Sequence, residues 1–209
     1  MTKAIIFDFW GTLVENGINS PIKEAGYILR VRMPFSEFVV RFEKSFMIGK
    51  FKSLTEAFEN VANEFQLKLP GFVIEKLVGM WNKNAILAKP YDETIEVLEE
   101  LKKEGYKLIL ISNTDEFSVE NAIEKYDLKE YFDEIFLSYQ IGQLKQDFLK
   151  EIANRINMNK EDLVMVGDSM ETDVKGAIEA GIKAILVDRR NKREYENKIS
   201  NLRELKEKL

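Results

Sequence analysis

With 209 residues and 36 acidic against 31 basic side chains, the chain is long enough for one full-sized domain or a core with a smaller insert, and its negative balance speaks against a phosphate polymer as partner. It contains neither cysteine nor histidine, which excludes disulfides, the usual zinc sites, serine–histidine triads and histidine phosphotransfer, and leaves carboxylates, Lys, hydroxyls and backbone groups, with an oxygen-ligated cation such as Mg2+ as the natural companion. No apolar run approaches the roughly 18 residues of a membrane span, and Met1-Thr2-Lys3 leads straight into a strand-like run, so a cytoplasmic protein is expected.

The first strand-like run, residues 3–8 (KAIIFD), is followed by Phe9-Trp10-Gly11-Thr12-Leu13. From residue 15 to 88 the pattern is helical only. Phe35, Phe38, Val39, Phe42 and Phe46 share one helical face, Leu54, Phe58, Val61 and Phe65 another, and Ser53 with Glu56 three residues on forms a capping box that starts the second of these helices. Beyond residue 89 short apolar runs return at 107–112 (KLILIS), 134–138 (EIFLS), 163–167 (LVMVG) and 183–187 (KAILV), with helical segments between them, for instance 92–104 closed by Gly105. Strands alternating with helices imply an α/β fold with a doubly wound parallel sheet. The predicted organisation is a core of residues 1–14 and 89–209 carrying a small all-helical insert at 15–88. The charged stretch from Arg189 onward is expected to be a solvated helix.

Ligands of open α/β sheets sit at the carboxyl ends of the strands, so the residues that close each run are the informative ones. Those ends carry Asp8, Ser112-Asn113-Thr114-Asp115, a segment leading to Lys145, and Gly167-Asp168-Ser169-Met170-Glu171-Thr172-Asp173. A strand-end carboxylate can attack an electrophile as aspartyl-phosphate enzymes do. Mg2+ shared by Asp8 and Asp168, with Lys145 and the hydroxyl of Ser112 or Thr114, would offset the charge of a phosphate ester, while Gly11 lets the backbone approach closely. Taken singly each piece has a plainer reading: Asp8 and Asp168 as turn or helix caps, Ser112 to Thr114 as a helix start, Lys145 as a surface lysine. Only the joint reading accounts for all four in this order at strand ends.

These motifs resemble those of the haloacid dehalogenase (HAD) superfamily, across essentially the whole chain. IIFDFWGTL resembles its opening strand and nucleophile motif, LILISNT its second, Lys145 its lysine, with Gln146 where proline often follows, and Gly167 to Asp173 its acidic magnesium loop. The resemblance implies a Rossmann-like core with a helical cap inserted after the first motif. It implies a magnesium-dependent phosphatase of small phosphorylated metabolites, with Asp8 and Lys145 catalytic and Gly11, Thr12, Ser112, Asn113, Thr114 and Lys145 binding the phosphate. Mg2+ would be held by Asp8, the backbone carbonyl of Trp10 and Asp168, with Asp173 acting one step removed. The family's second aspartate, its proton donor and acceptor, is Trp10 here. Losing such a group costs about 10²–10⁴-fold, so slow turnover favouring easily expelled leaving groups is expected unless Asp115, Glu171 or another carboxylate substitutes. An aromatic residue at this position also fits the metal-free 2-haloacid dehalogenases of the superfamily, for which Arg30, Arg32 or Arg41 would supply the arginine. A phosphoacceptor or ligand-binding relative without turnover is the remaining alternative. In the insert, Phe35, Phe38, Phe42, Phe46, Phe58, Met80 and Trp81 are candidates for a substrate lining, although an apolar helix stripe is core first.

Overall fold

A computed structural model describes residues 3–15 and 20–209; positions 1–2 of the expected core and leader reading, and 16–19 of the expected insert, lie outside the described residues. The five apolar runs form strands β1 (Ala4–Phe7), β2 (Lys107–Ser112), β3 (Glu134–Leu137), β4 (Leu163–Gly167) and β5 (Lys183–Val187). Together with a short β6 (Lys198–Ile199) they make a parallel sheet in the order β3-β2-β1-β4-β5-β6. Such a sheet is covered on both faces, which is why its strands read as apolar runs rather than as alternating sequence. Ile5, Phe7, Leu108, Leu110, Val164 and Val166 pack one face against helices α5 (Thr94–Lys103) and α6 (Glu116–Lys125). Ile6, Ile109, Ile111 and Met165 pack the other against α8 (Lys145–Arg155) and α9 (Gly176–Ala180), and a short α7 (Ser138–Ile141) precedes α8.

Between β1 and α5 lie four helices, α1 (Pro21–Leu29), α2 (Phe35–Phe46), α3 (Leu54–Glu64) and α4 (Gly71–Leu87). They enclose an apolar cluster of their own, with Phe46 at its centre: its ring lies 5.2 Å from Phe42, 4.8 Å from Phe58 and 4.7 Å from Trp81. The chain enters and leaves this helical layer along adjacent segments, where Glu15 N donates to Lys89 O at 2.8 Å and Tyr91 N to Leu13 O at 3.1 Å.

The stretch from Arg189 is not the solvated helix expected. Lys198–Ile199 extends the sheet beside β5, and the 3-10 turn Leu202–Glu207 buries Leu202 and Leu205. Three aliphatic side chains at a spacing of three, Ile199, Leu202 and Leu205, close the cluster beside α5, and their burial outweighs the hydration of the lysines between them. Among the described residues no helix is long and apolar enough to cross a membrane.

Candidate active site

The chain reverses direction across the sheet at β1. It builds β2 and β3 to one side, then returns to place β4 on the other. The crevice of such a sheet opens between these two central strands, and the residues that end them, Asp8 and Asp168, are therefore neighbours. Asp8 is fixed by its own N–H, which donates to Val166 O at 2.9 Å. After it the chain turns sharply at Gly11, whose φ of 82° is one that side-chain-bearing residues rarely adopt. Gly167 is equally constrained, because a Cβ there would collide with the Asp173 carboxylate.

Asp173 sits on a π-helical turn, Met170–Lys175, that runs into α9; such turns let a helix re-aim a side chain and recur at functional sites. Its Oδ2 accepts from Ser169 N at 2.8 Å, while Oδ1 lies 2.6 Å from Lys145 Nζ. The same ammonium donates to Asp8 Oδ1 at 2.5 Å. Lys145 begins α8, and its own N–H donates to Asn113 Oδ1 at 2.7 Å. The strand-end residue Asn113 thereby sets where α8 starts. Asp8 is 2% and Lys145 4% exposed.

Asp8, Asp168 and Asp173 bring carboxylate oxygens within 4.8 Å of one another. Burial, and the negative charges of Asp173 and Asp168, push the Asp8 carboxyl well above its usual range despite Lys145. Burial and Asp173 push Asp168 up to about 6. Lys145 stays protonated: burial opposes its charge, but Asp173 and Asp8 outweigh that and raise it. Three carboxylates against one ammonium leave the cluster short of positive charge, and all three offer hard oxygen donors. That donor set fits Mg2+.

Above the cluster a cavity of about 430 Å³ reaches from the strand ends to the helical layer. Asp8, Trp10, Asn113, Lys145 and Asp168 line its floor; Phe35, Val39, Glu43, Met47 and Trp81 line its roof. Of the residues expected to bind phosphate, Asn113 and Lys145 face this space. Thr12 Oγ1 is turned to Asp8 Oδ2 at 3.4 Å, Thr114 Oγ1 accepts the Trp10 indole N–H at 3.0 Å, and Ser112 Oγ is directed at Asn113 O at 3.5 Å. Gly11, Thr12, Ser112 and Thr114 are not part of the cavity lining. Of the aromatic and Met candidates in the insert only Phe35 and Trp81 reach it; Phe38, Phe42, Phe46 and Phe58 are core of the helical layer. Arg30, Arg32 and Arg41 do not line it either, and Arg41 is turned to Glu64 at 2.8 Å.

The haloacid dehalogenase-like hydrolase family matches residues 2–181. The chain belongs to that family. Among its relatives, the glyceraldehyde 3-phosphate phosphatase of Methanothermobacter thermautotrophicus is 25% identical over 201 residues, covering 90% of this chain and 86% of that protein. A HAD phosphatase from Thermococcus onnurineus superposes with a TM-score of 0.62 at 25% identity, over 99% of this chain and 97% of that one. A 2-haloacid dehalogenase from Pseudomonas syringae pv. Tomato DC3000 superposes with 0.65 at 21% identity, over the same shares. The HAD fold alone thus does not separate the two chemistries, and the separation has to come from the site.

Three polar residues of this HAD site escaped the sequence reading. Glu43, from α2, is 8% exposed; its Oε2 accepts from Asn113 Nδ2 at 2.8 Å, and burial pushes its carboxyl up to about 7 against the pull of Lys145 and Asn113. Arg189 donates to Thr12 O at 2.7 Å and pairs with Glu93 at 2.6 Å, bracing the loop after Asp8. Arg193 donates to the Asp168 carbonyl and lines the cavity. The signal for Glu43 was its place between Val39 and Met47 on one helical stripe, a charge among apolar neighbours. The two arginines had no local signal.

Proposed function

We propose that the chain is a magnesium-dependent phosphatase of small phosphate monoesters, in which Asp8 attacks phosphorus and carries the phosphoryl group until water removes it. The observation that supports this most directly is the convergence of Asp8, Asp168 and Asp173 on one point beside Lys145. A phosphate dianion approaching a carboxylate needs compensating positive charge. Lys145 supplies one unit from within the fold. Asp8, Asp168 and the Trp10 carbonyl would hold Mg2+, with Asp173 fixing Lys145 and the loop; when bound, the ion neutralises phosphate oxygens as a Lewis acid. Asn113 and Lys145 orient the phosphate from the cavity floor.

The phosphatase names of its relatives favour a small phosphorylated metabolite as substrate. Residues 15–88 serve as a cap over a core of 1–14 and 89–209, opening about the paired segments near Leu13 and Tyr91 to admit substrate and closing to exclude water. Metal-free dehalogenation fits less well. No arginine of the insert reaches the cavity, and the acidic cluster would repel a carboxylate substrate in the absence of a cation.

Phosphate release from a panel of phosphorylated metabolites, and halide release from 2-haloacids, should be measured with Mg2+ and with chelator. Phosphate release that needs Mg2+ and falls by at least about 10⁴-fold in Asp8→Asn is the expected result. Metal-independent halide release, or full activity in Asp8→Asn, would overturn the proposal.

A further inference from the structure

In-line attack by Asp8 sends the leaving oxygen away from the strand end, into the cavity and toward its roof. Such an oxygen leaves more easily when a carboxyl stands ready to protonate it, and Trp10 cannot: its one polar hydrogen, on the indole, is committed to Thr114. The other carboxyls lining the cavity are committed as well. Asp115 caps α6, accepting at Oδ1 from Ser118 N at 3.0 Å and at Oδ2 from the Trp81 indole at 3.0 Å. Glu171 is exposed and held by Lys175 at 2.7 Å, and Glu15 pairs with Lys89 at 3.5 Å. Asp168 belongs to the cation cluster.

Glu43 differs from all of these. It hangs from the roof on α2 and makes no salt bridge among the described residues; its carboxylate's one hydrogen-bond partner there is the Asn113 amide, whose oxygen holds the start of α8 and so the Lys145 backbone. We infer that Glu43, from the helical layer, is the proton donor and acceptor of the reaction in place of the aspartate that Trp10 replaces. The inference rests on the phosphatase reading and goes beyond it. In the first half-reaction the Asp8 carboxylate bonds to phosphorus, the ester P–O bond breaks, and the Glu43 carboxyl gives its proton to the departing alkoxide, which leaves as the alcohol. In the second, water attacks the same phosphorus, its proton passes to the Glu43 carboxylate, the bond to Asp8 breaks, and hydrogen phosphate leaves with Asp8 and Glu43 restored.

The acid form needed first is available near neutrality. Around Glu43 stand the ammonium of Lys145 on α8, the carboxylates of Asp168 and Asp173 on the acidic loop, and the amide of Asn113 at the end of β2; burial leads, and the carboxyl is pushed up to about 7. The catalytic set is complete only when α2 rests on the strand ends, so proton transfer requires that the helical layer be closed.

The test compares the full chain with Glu43→Gln, which keeps an oxygen for Asn113 but cannot exchange a proton. Both are assayed with Mg2+ on an alkyl phosphate and on p-nitrophenyl phosphate, whose leaving group needs little protonation. Expected is a loss in kcat/KM of about 10²–10⁴-fold on the alkyl ester and at most about tenfold on the nitrophenyl ester. The decline of the wild-type alkyl-ester kcat/KM as pH rises through the Glu43 titration should vanish in the variant, and nitrophenol release should show a burst because the second half-reaction is slowed. Equal losses on both esters with the pH limb retained would make Glu43 only a latch for Asn113, overturning the inference. Unchanged alkyl-ester turnover in Glu43→Gln, with Asp8→Asn inactive, overturns the role of Glu43 and leaves the phosphatase reading standing. Asp8→Asn remaining active removes both.

Discussion

At the carboxyl edge of the sheet the buried side chains are held by charge, Lys145 lying 2.5 Å from Asp8 and 2.6 Å from Asp173. In the helical layer above it they are held by contact between rings, with Phe42, Phe46, Phe58 and Trp81 stacked, tilted or edge-on to one another at 4.7 to 6.5 Å. The two kinds of interior tolerate change differently. A buried ion cluster loses its function when one member moves or vanishes, whereas an apolar cluster accepts exchange of one large side chain for another at modest cost. A protein built this way can keep its ion cluster fixed in the sheet while the apolar residues around Glu43 in the roof of the cavity are remodelled for another substrate.

The comparison breaks most directly at Phe46. Its side chain is fully buried and touches three of the other rings. Phe46→Ala should lower unfolding free energy by about 3–5 kcal/mol, measured by denaturant titration, and hydrogen exchange should place the loss in α2 to α4 while β1 and β4 stay protected. Uniform deprotection of sheet and layer would mean that the two regions unfold as one unit and differ only in chemistry.

The same contrast decides how much could be read in advance. Asp8, Asn113 and Asp168 were legible because a strand end is a local feature: the apolar run points at the residue that follows it, and the sheet order then brings those ends together; Lys145, beyond β3 at the start of α8, was legible only through its place in the motif order. The helical stripe of α2 was legible as buried, but burial has two destinations here, the ring cluster for Phe38, Phe42 and Phe46 and the cavity for Val39, Glu43 and Met47. Helical periodicity gives a face, not the neighbour that the face meets. Ile199, Leu202 and Leu205 were hidden by the lysines and glutamates around them, and Arg189 and Arg193 acquire partners only because that tail folds back beside β5.

Glu43 is where the charged and the apolar region meet, and its titration sharpens the boundary. Unfolded, such a carboxyl titrates near 4.5; folded, burial raises it to about 7. The folded chain therefore binds this proton more tightly. Its contribution to stability is full below pH 4.5 and is lost as pH rises through 7, about 3 kcal/mol across the interval. Glu43→Gln has no such proton. Without Mg2+, the wild type should lose stability relative to the variant by about that amount over this pH range, and parallel stability curves would mean that α2 does not hold the carboxyl out of water.

The smallest effect belongs to the start of α3. Ser53 Oγ accepts from Glu56 N at 3.3 Å, and Glu56 reaches back to Lys52 N at 2.7 Å rather than to Ser53 itself, a variant of the expected capping box. Ser53→Ala removes one acceptor at the helix N-terminus and should cost about 1 kcal/mol, seen as a lower denaturation midpoint with an unchanged slope. No residue of α3 lines the cavity, so kcat/KM should stay within about twofold, since loosening one cap leaves the folded population nearly complete. If activity dropped sharply while stability barely moved, α3 would be controlling how α2 seats Glu43 on the strand ends, and the catalytic part of the helical layer would extend beyond α2.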